Sequence, residues 1–239
     1  VGILEFVAQS DKPVRLPEIV EKTGLGESTC ANIISSLTEN GLLDKTGEKR
    51  KYSYSIGRKF HELSRSYISP EYVRSIASIA MDNFAEETGV SCILGIVEHQ
   101  FRIIIHESKP QTRLQVVHHK KYPAYASSMG RFILAHYADD RLKLFLERFG
   151  MPNNKHWKEF HDFEDLKEEL NSLKQIMMEP TVVEADHVVM MFAPINYLNK
   201  TIAAIGLYLP LSNYHEQNAP NIQSKFLNLT EFINSHLKD

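Results

Sequence analysis

Apolar residues recur at helical spacing through Ile3, Leu4, Phe6 and Val7, and the stripe runs out at Ser10-Asp11-Lys12-Pro13, a turn by composition. A second stripe follows at Leu16, Ile19 and Val20, with Pro17 tolerated in its first turn and Gly24 placed to end it as a left-handed cap. A third helix is predicted from Glu27-Ser28, with Cys30, Ile33, Ile34 and Leu37 turned inward. Ser28, Ala31, Asn32 and Ser35 then face outward, Thr29 and Ser36 lie at the margins, and Asn40-Gly41 closes the helix. From here the period shortens. Leu42-Leu43-Asp44-Lys45 and Lys51–Ile56 read as two strands around the turn Thr46-Gly47-Glu48-Lys49-Arg50. Two short helices joined through a Gly-containing turn, then a strand pair, predict a winged helix-turn-helix over residues 1–57.

Past Gly57, the stripe Phe60, Leu63, Tyr67 and Ile68 predicts a linker helix over 58–69, broken at Ser69-Pro70 because a residue before proline is pushed out of the helical region. Its apolar stripe has two possible partners, its counterpart in a dimer or its own domains. Tyr72, Val73, Ile76, Ile79, Ala80 and Phe84 carry the next helix toward Gly89. Residues 70–239 then form a second domain. Strand-like runs at Val90–Val97, Phe101–His106, Leu114–His118, Val188–Ile195 and Thr201–Leu209 predict an antiparallel sheet, with hairpins at Glu98-His99-Gln100 and Asn196–Lys200. Helical stretches near Ser127–Tyr137, Asp139–Phe149, Phe163–Met178 and Gln217–His236 would cover it. Asp162 is placed to cap the third of these, whose Asp165, Glu168 and Glu169 would face Lys167 and Lys174. The class is α+β, and one sheet face closed by loops is a natural small-molecule pocket.

The formal charge of −3 over 239 residues excludes a globally polybasic protein but not a local basic footprint. Positions 45–59 hold six basic residues (Lys45, Lys49, Arg50, Lys51, Arg58, Lys59) against the single acid Glu48. Cys30 and Cys92 fit free thiols in a reducing cytoplasm. No run approaches the roughly 18 apolar residues of a membrane span, and no secretory leader is visible, so no membrane partner is expected. The opening Val1-Gly2-Ile3-Leu4 reads as mid-helix, which predicts a natural chain extending further N-terminally.

The third helix has the spacing of a DNA reader, yet residues 27–40 contain no Lys or Arg. Asn32 is the candidate for the deepest groove contact, since its amide can pair with both N6 and N7 of adenine. Ser28, Thr29 and Ser35 suit phosphates or base edges, and Lys49, Arg50 and Lys51 on the wing would supply the phosphate attraction that the helix lacks. A winged helix that binds protein instead of DNA is the alternative. In the second domain, Ser127 and Ser128 precede Met129-Gly130 at a helix start able to receive an anion, or one serine simply caps the helix. Arg131 lies in the same first turn, and His118, His119 and Tyr125 lie on the approach. Neither cysteine has finger-like spacing, no Walker, Rossmann or zincin motif occurs, and Glu86-Glu87 and Glu168-Glu169 fall on helix surfaces, so no enzyme, metal or cofactor is expected.

From its first residue to its last the chain resembles the IclR family of bacterial transcriptional regulators. The resemblance is carried by Thr23-Gly24-Leu25-Gly26-Glu27-Ser28-Thr29, Leu37-Thr38-Glu39-Asn40-Gly41-Leu42-Leu43, Tyr54-Ser55-Ile56-Gly57, Ala126-Ser127-Ser128-Met129-Gly130-Arg131-Phe132-Ile133-Leu134-Ala135 and Phe192-Ala193-Pro194-Ile195. It implies a winged helix for double-stranded operator DNA, a linker helix and a GAF-like effector domain, in a homodimer that often pairs into tetramers. It further implies control of catabolic genes by a small, usually acidic or aromatic, metabolite. Against the family pattern, Glu27 stands where Lys is common and Asn32 where Arg is common. In the effector domain, Met190 replaces a frequent Cys, Gly206 and Tyr208 replace small hydroxyl residues, and Met178–Glu184 recasts an acidic, glycine-rich loop. The effector set implied is therefore Ser127, Ser128, Met129, Gly130, Met190, Gly206 and Tyr208. Exchanging short donors for Met and Tyr predicts a larger or more aromatic effector; an altered mode for an acid, or a vestigial pocket, are the alternatives. Ligand binding would bias how a dimer holds its two winged helices, through the Arg58–Ser69 connector.

Overall fold

The computed structural model describes residues 2–48, 51–65, 68–110, 118–183, 187–214 and 219–237. The chain divides into two compact units, Val1–Tyr67 and Ile68–Asp239.

In the first unit, α1 (Gly2–Ala8), α2 (Leu16–Thr23) and α3 (Glu27–Glu39) pack on a small antiparallel sheet of order β1-β3-β2. Ile3, Val7, Val14, Ile19, Cys30, Ile34 and Leu43 form its core. Gly24, at φ 67°, ends α2 as the pattern requires; the left-handed turn accepts glycine without a Cβ penalty, and its N–H returns to Val20 O. At the other end of α2 the Glu18 carboxylate accepts from Arg15 N at 2.6 Å. The wing strands are β2 (Leu43–Thr46) and β3 (Ser53–Ile56), in register Leu43 to Ile56. A two-residue strand, β1 (Val14–Arg15), pairs with Tyr54 and Ser53 and was not expected, because two residues are too few to show a period. One inward assignment is corrected: Ile33 is 37% exposed, while Cys30 and Ile34 carry the buried face. α4 (Arg58–Arg65) belongs to this unit, joined through Lys59 N to Gly41 O. Tyr67 of the predicted linker stripe, with Lys49 and Arg50 of the wing turn, lies outside the described residues.

The second unit is built on a six-stranded antiparallel sheet of order β6-β5-β4-β9-β8-β7. Its strands are β4 (Ser91–Glu98), β5 (Phe101–Ser108), β6 (Lys121–Pro123), β7 (Thr181–Val183), β8 (Val188–Tyr197) and β9 (Lys200–Pro210). Strand alternation sends Cys92, Leu94, Met191, Ala193, Ile205 and Leu207 to one face, under α5 (Pro70–Thr88) and α9 (Ala219–His236). Ile93, Ile104, Met190, Phe192 and Ala204 go to the other, under Met129, Phe132 and Ile133 of α6 (Ser128–Ala135). Full burial of rings such as Phe132, Phe192 and Phe226 contributes roughly 1.5–3 kcal/mol each. α7 (Asp139–Phe149) and α8 (Phe163–Ile176) close a third cluster with Tyr125 and Leu134.

The sheet contains the predicted hairpins. β4 and β5 meet at Glu98 opposite Phe101, and β8 and β9 turn through Leu198 and Asn199, both at positive φ. Ser69 caps α5 by accepting from Tyr72 N at 3.1 Å, and Asp162 caps α8 by accepting from Asp165 N at 3.0 Å. Two expectations change. Tyr72 and Ile79 are exposed, Ile79 by 71%, and Val73, Ala77, Met81 and Phe84 make the buried face of α5. On α8, Lys167 pairs with Asp139 and Glu169 with Lys158. Of the predicted strand Leu114–His118, Leu114–Val117 lie outside the described residues and His118 is not in a strand; β6, which was unforeseen, pairs with Phe101–Ile103. β7, the edge strand opposite, lies within the recast Met178–Glu184 segment and was also unforeseen.

Candidate DNA-facing helix and effector site

On α3, Ser28, Thr29, Asn32 and Ser35 are all exposed, anchored from beneath by Cys30 and Ile34. Cys30 sits 3.5 Å from Thr23 Oγ1, which ties the underside of α3 to the end of α2. Ser35 Oγ donates to Glu39 Oε1 at 3.0 Å, so this hydroxyl is engaged along its own helix. On the wing, Lys51 is exposed and the Lys45 ammonium lies 3.7 Å from the centre of the Tyr52 ring. Glu27 in the first turn of α3 complements the helix dipole but offers no attraction to phosphate.

In the second unit, cross-strand register brings the predicted positions together. Met190 lies opposite Tyr208, and Phe192 opposite Gly206, whose other neighbour is Ile93. Met129 of α6 covers them: a Cβ at Gly206 would stand 2.6 Å from Phe192 and 3.0 Å from the Met129 methyl, and a Cβ at Gly95 would stand 2.5 Å from Met129 Sδ. The two glycines thus hold room that the thioether and the ring occupy. The Tyr208 ring packs edge-on against His118 at 4.3 Å and against Phe192 at 5.7 Å. Burial pushes the Tyr208 hydroxyl pKa well above its usual value, with nearby Arg102 opposing the shift. Burial, reinforced by the positive charges of Arg102 and Lys109, pulls His118 down to about 4, so this imidazole is neutral at physiological pH.

The remaining predicted residues divide. Ser127 caps α6, its Oγ accepting from Gly130 N at 3.3 Å and from Arg102 Nε at 3.2 Å. Gly130 serves packing, since a Cβ there would meet the Ala124 carbonyl oxygen. Ser128 stands instead beside Arg131, 3.5 Å from its guanidinium, which lies over the Trp157 ring at 4.8 Å. Burial lowers the Arg131 pKa, with Glu169 opposing it. Tyr125 points away from the sheet face, its hydroxyl donating to Gly150 O at 2.7 Å against Phe145. His119 is exposed and stacks on Tyr122, so the two adjacent histidines serve different surroundings.

Arg102 and Phe192 escaped the sequence reading of this site. Arg102 had one signal: a single cation among Phe101, Ile103, Ile104 and Ile105, at a strand position of inward parity. Apart from this site, the Asp82 carboxylate on α5 accepts from Ser108 Oγ at 2.5 Å and lies 3.1 Å from His106 Nε2. Burial raises the Asp82 pKa, but those hydrogen bonds and the charge of His106 outweigh it and hold it below the usual carboxylate value. Among the described residues, no three His, Cys, Asp or Glu side chains cluster to hold a metal, and no helix is long and apolar enough to cross a membrane.

Comparison with known proteins places these features in one family. Residues 1–47 match the model of the IclR helix-turn-helix domain, and residues 65–233 match that of the bacterial transcriptional regulator IclR C-terminal domain. A glycerol operon regulatory protein of Streptomyces griseus is 25% identical over 136 residues, covering 56% of this chain and 53% of the relative. The transcriptional repressor IclR of Escherichia coli K12 is 23% identical over 157 residues, covering 62% and 55%. The chain thus spans about half the length of these curated relatives. Among solved structures, the Thermotoga maritima IclR superposes with a TM-score of 0.54 at 20% identity, over 99% of this chain and 96% of that one. An IclR homolog of Microbacterium hydrocarbonoxydans complexed with 4-hydroxybenzoate gives 0.53 at 18% identity, over 98% and 96%. At these identities the structural likeness speaks to the fold. The two family models, taken together, show that the chain belongs to the IclR family of bacterial transcriptional regulators.

Proposed function

We propose that this protein is a cytoplasmic, DNA-binding transcriptional regulator whose affinity for its operator is set by a small molecule bound in the second unit. The observation that carries this is the outer face of α3, a helix-turn-helix second helix whose Ser28, Thr29 and Asn32 are solvent-facing on a buried, rigid support. Asn32 would read a base edge, Ser28, Thr29 and Ser35 would contact phosphate or sugar, and Lys49, Arg50 and Lys51 would hold the duplex from the wing. The working form would be a homodimer, as paired half-sites require, and the exposed Tyr72 and Ile79 on α5 are apolar surface available for self-association. The effector would lie over the Met190–Tyr208 and Phe192–Gly206 strand pairs, near Ser127 and Met129. That a relative was crystallised with 4-hydroxybenzoate is in keeping with an aromatic effector here.

Genomic fragments selected on the full chain supply the operator for the test. Binding across a salt series should weaken steeply, and replacing Lys49, Arg50 and Lys51 together by Ala should flatten the log–log slope by about three, at roughly 0.9 per lost phosphate contact. An unchanged slope, or no sequence preference at all, would overturn the DNA reading in favour of a protein-binding winged helix. A metabolite screen by thermal shift tests the effector. Met129 and Phe192 filling the space at Gly206 favour, as a second reading, a vestigial pocket, which predicts that no compound shifts the melting temperature.

A further inference from the structure

Arg102 presents a problem of charge. Its side chain leaves β5 toward α6, runs past Gly95, and is 6% exposed. Nε donates to the Ser127 hydroxyl at 3.2 Å and Nη1 donates to the His119 carbonyl at 2.7 Å. Both acceptors are neutral, and among the described residues no carboxylate forms an ion pair with this guanidinium. Glu107, the acid that acts on it electrostatically, is engaged by Lys109 at 3.1 Å. The sequence around it offers nothing better, since from Pro110 to Arg131 there is no Asp or Glu at all, only the further cations Arg113, Lys120, Lys121 and Arg131. A buried cation of this kind normally has an anionic partner.

Polar and apolar groups converge around it. Ser127, 8% exposed, joins the guanidinium to the first turn of α6. His118 Nε2 is buried and, among the described residues, has no hydrogen-bond partner, while its ring packs on Tyr208. The other boundary is apolar: Met129, Phe192 and Met190, with the thioether of Met129 as an adaptable wall.

We propose that Arg102 is the specificity-determining residue of the effector site: its guanidinium, and not the α6 N-terminus that Ser127 already caps, receives the carboxylate of a monocarboxylate effector with an apolar or aromatic body. The carboxylate takes the free N–H groups of the guanidinium, supplying the missing negative charge in a geometry to which a planar fork is suited. The apolar body displaces Met129 and packs between Phe192 and Tyr208. This assignment rests on the effector reading above and narrows it: a neutral ligand of the same shape leaves Arg102 uncompensated and is rejected.

The test uses the full chain and six probes in matched pairs: benzoate and benzamide, phenylacetate and phenylacetamide, hexanoate and hexanamide. Thermal shift and calorimetric titration should show at least one acid binding at least about tenfold more tightly than its amide. Arg102→Gln should erase that preference, and Arg102→Lys, which keeps the charge but loses the fork, should retain part of it. If Arg102→Gln does not fold, the wild-type acid-to-amide comparison and the Lys variant decide the matter. Equal binding of acids and amides, or acid binding undiminished in Arg102→Gln, overturns the role of Arg102 while leaving an effector site in place. Binding by none of the six overturns the monocarboxylate assignment, and the effector reading then stands or falls on the broader metabolite screen.

Discussion

Replacing Asn32 by Ala removes the one side-chain amide on the outward face of α3 and leaves the supporting Cys30 and Ile34 untouched. Operator affinity should fall by about 1–3 kcal/mol, with binding to unrelated DNA and the melting temperature unchanged, as read by competition titration. His118 gives a second prediction, in pH. Its folded-state pKa of about 4 lies below the ordinary 6.5, so the unfolded chain takes up a proton first as the solution is acidified. The stability that depends on neutral His118 is complete above pH 6.5 and is lost as pH falls toward 4. Wild-type melting temperature should drop through that window more steeply than that of His118→Gln; parallel curves would show that burial of the imidazole contributes nothing. At this scale the sequence was uneven. Met190, Gly206 and Tyr208 could be singled out because their types depart from a known pattern, and strand register does bring them together. Ser127 and Ser128 could not be told apart, since whether a hydroxyl turns toward Arg102 or toward Arg131 depends on how α6 is rotated, which adjacent residues do not encode.

Among the elements, those with a local signature were legible and those completed by distant partners were not. The Gly24 cap, the break at Ser69-Pro70, the Asp162 cap and both hairpins announce themselves within a few residues. The short strands β1, β6 and β7 exist only through pairing with β3, β5 and β8, and two or three residues carry no period. On α5 the apolar residues that mark the helix do not share one face: Tyr72 and Ile79 lie outside the arc that Val73, Ala77, Met81 and Phe84 bury. The seating of α6 predicts an ordered pair of glycine substitutions. Gly130→Ala would push a methyl into the Ala124 carbonyl oxygen, which is backbone, whereas Gly95→Ala would meet the flexible end of Met129 at 2.5 Å. Both should destabilise, in the range of about 1–3 kcal/mol for overpacking or above it, with Gly130→Ala the more severe by denaturant titration. Gly95→Ala should additionally weaken any effector that needs Met129 to move.

For the molecule as a whole, the division into a winged helix and an α+β domain follows from the change in hydrophobic period near residue 57 and its reversal after residue 89, both visible in the bare chain. The role of charge is less local. The acidic total of −3 and the cation-free α3 argue against DNA until the basic wing is counted, and they argue against an anionic ligand until Arg102 is found inside. If effector and operator are coupled, the coupling is reciprocal, so saturating operator should change effector affinity by the factor by which effector changes operator affinity. Paired calorimetric titrations with and without DNA measure both factors; a factor of one in both would show that the two sites are uncoupled, and unequal values would show that the assembly state differs between the titrations.

The seam between β4 and β9 has a consequence for how the protein is made. Among the described residues, every strand pairing of the winged helix falls between Val14 and Ile56, whereas Ser91 must wait for Tyr208 before the centre of the large sheet can close. On the ribosome, the β4–β5 hairpin therefore emerges long before its neighbour and carries an open edge until β9 follows it, a period of exposure to misassociation. The winged helix, by contrast, has its whole sheet in hand early. A message broken anywhere between Ile56 and Lys200 would encode the small sheet entire and the large one without its central partner.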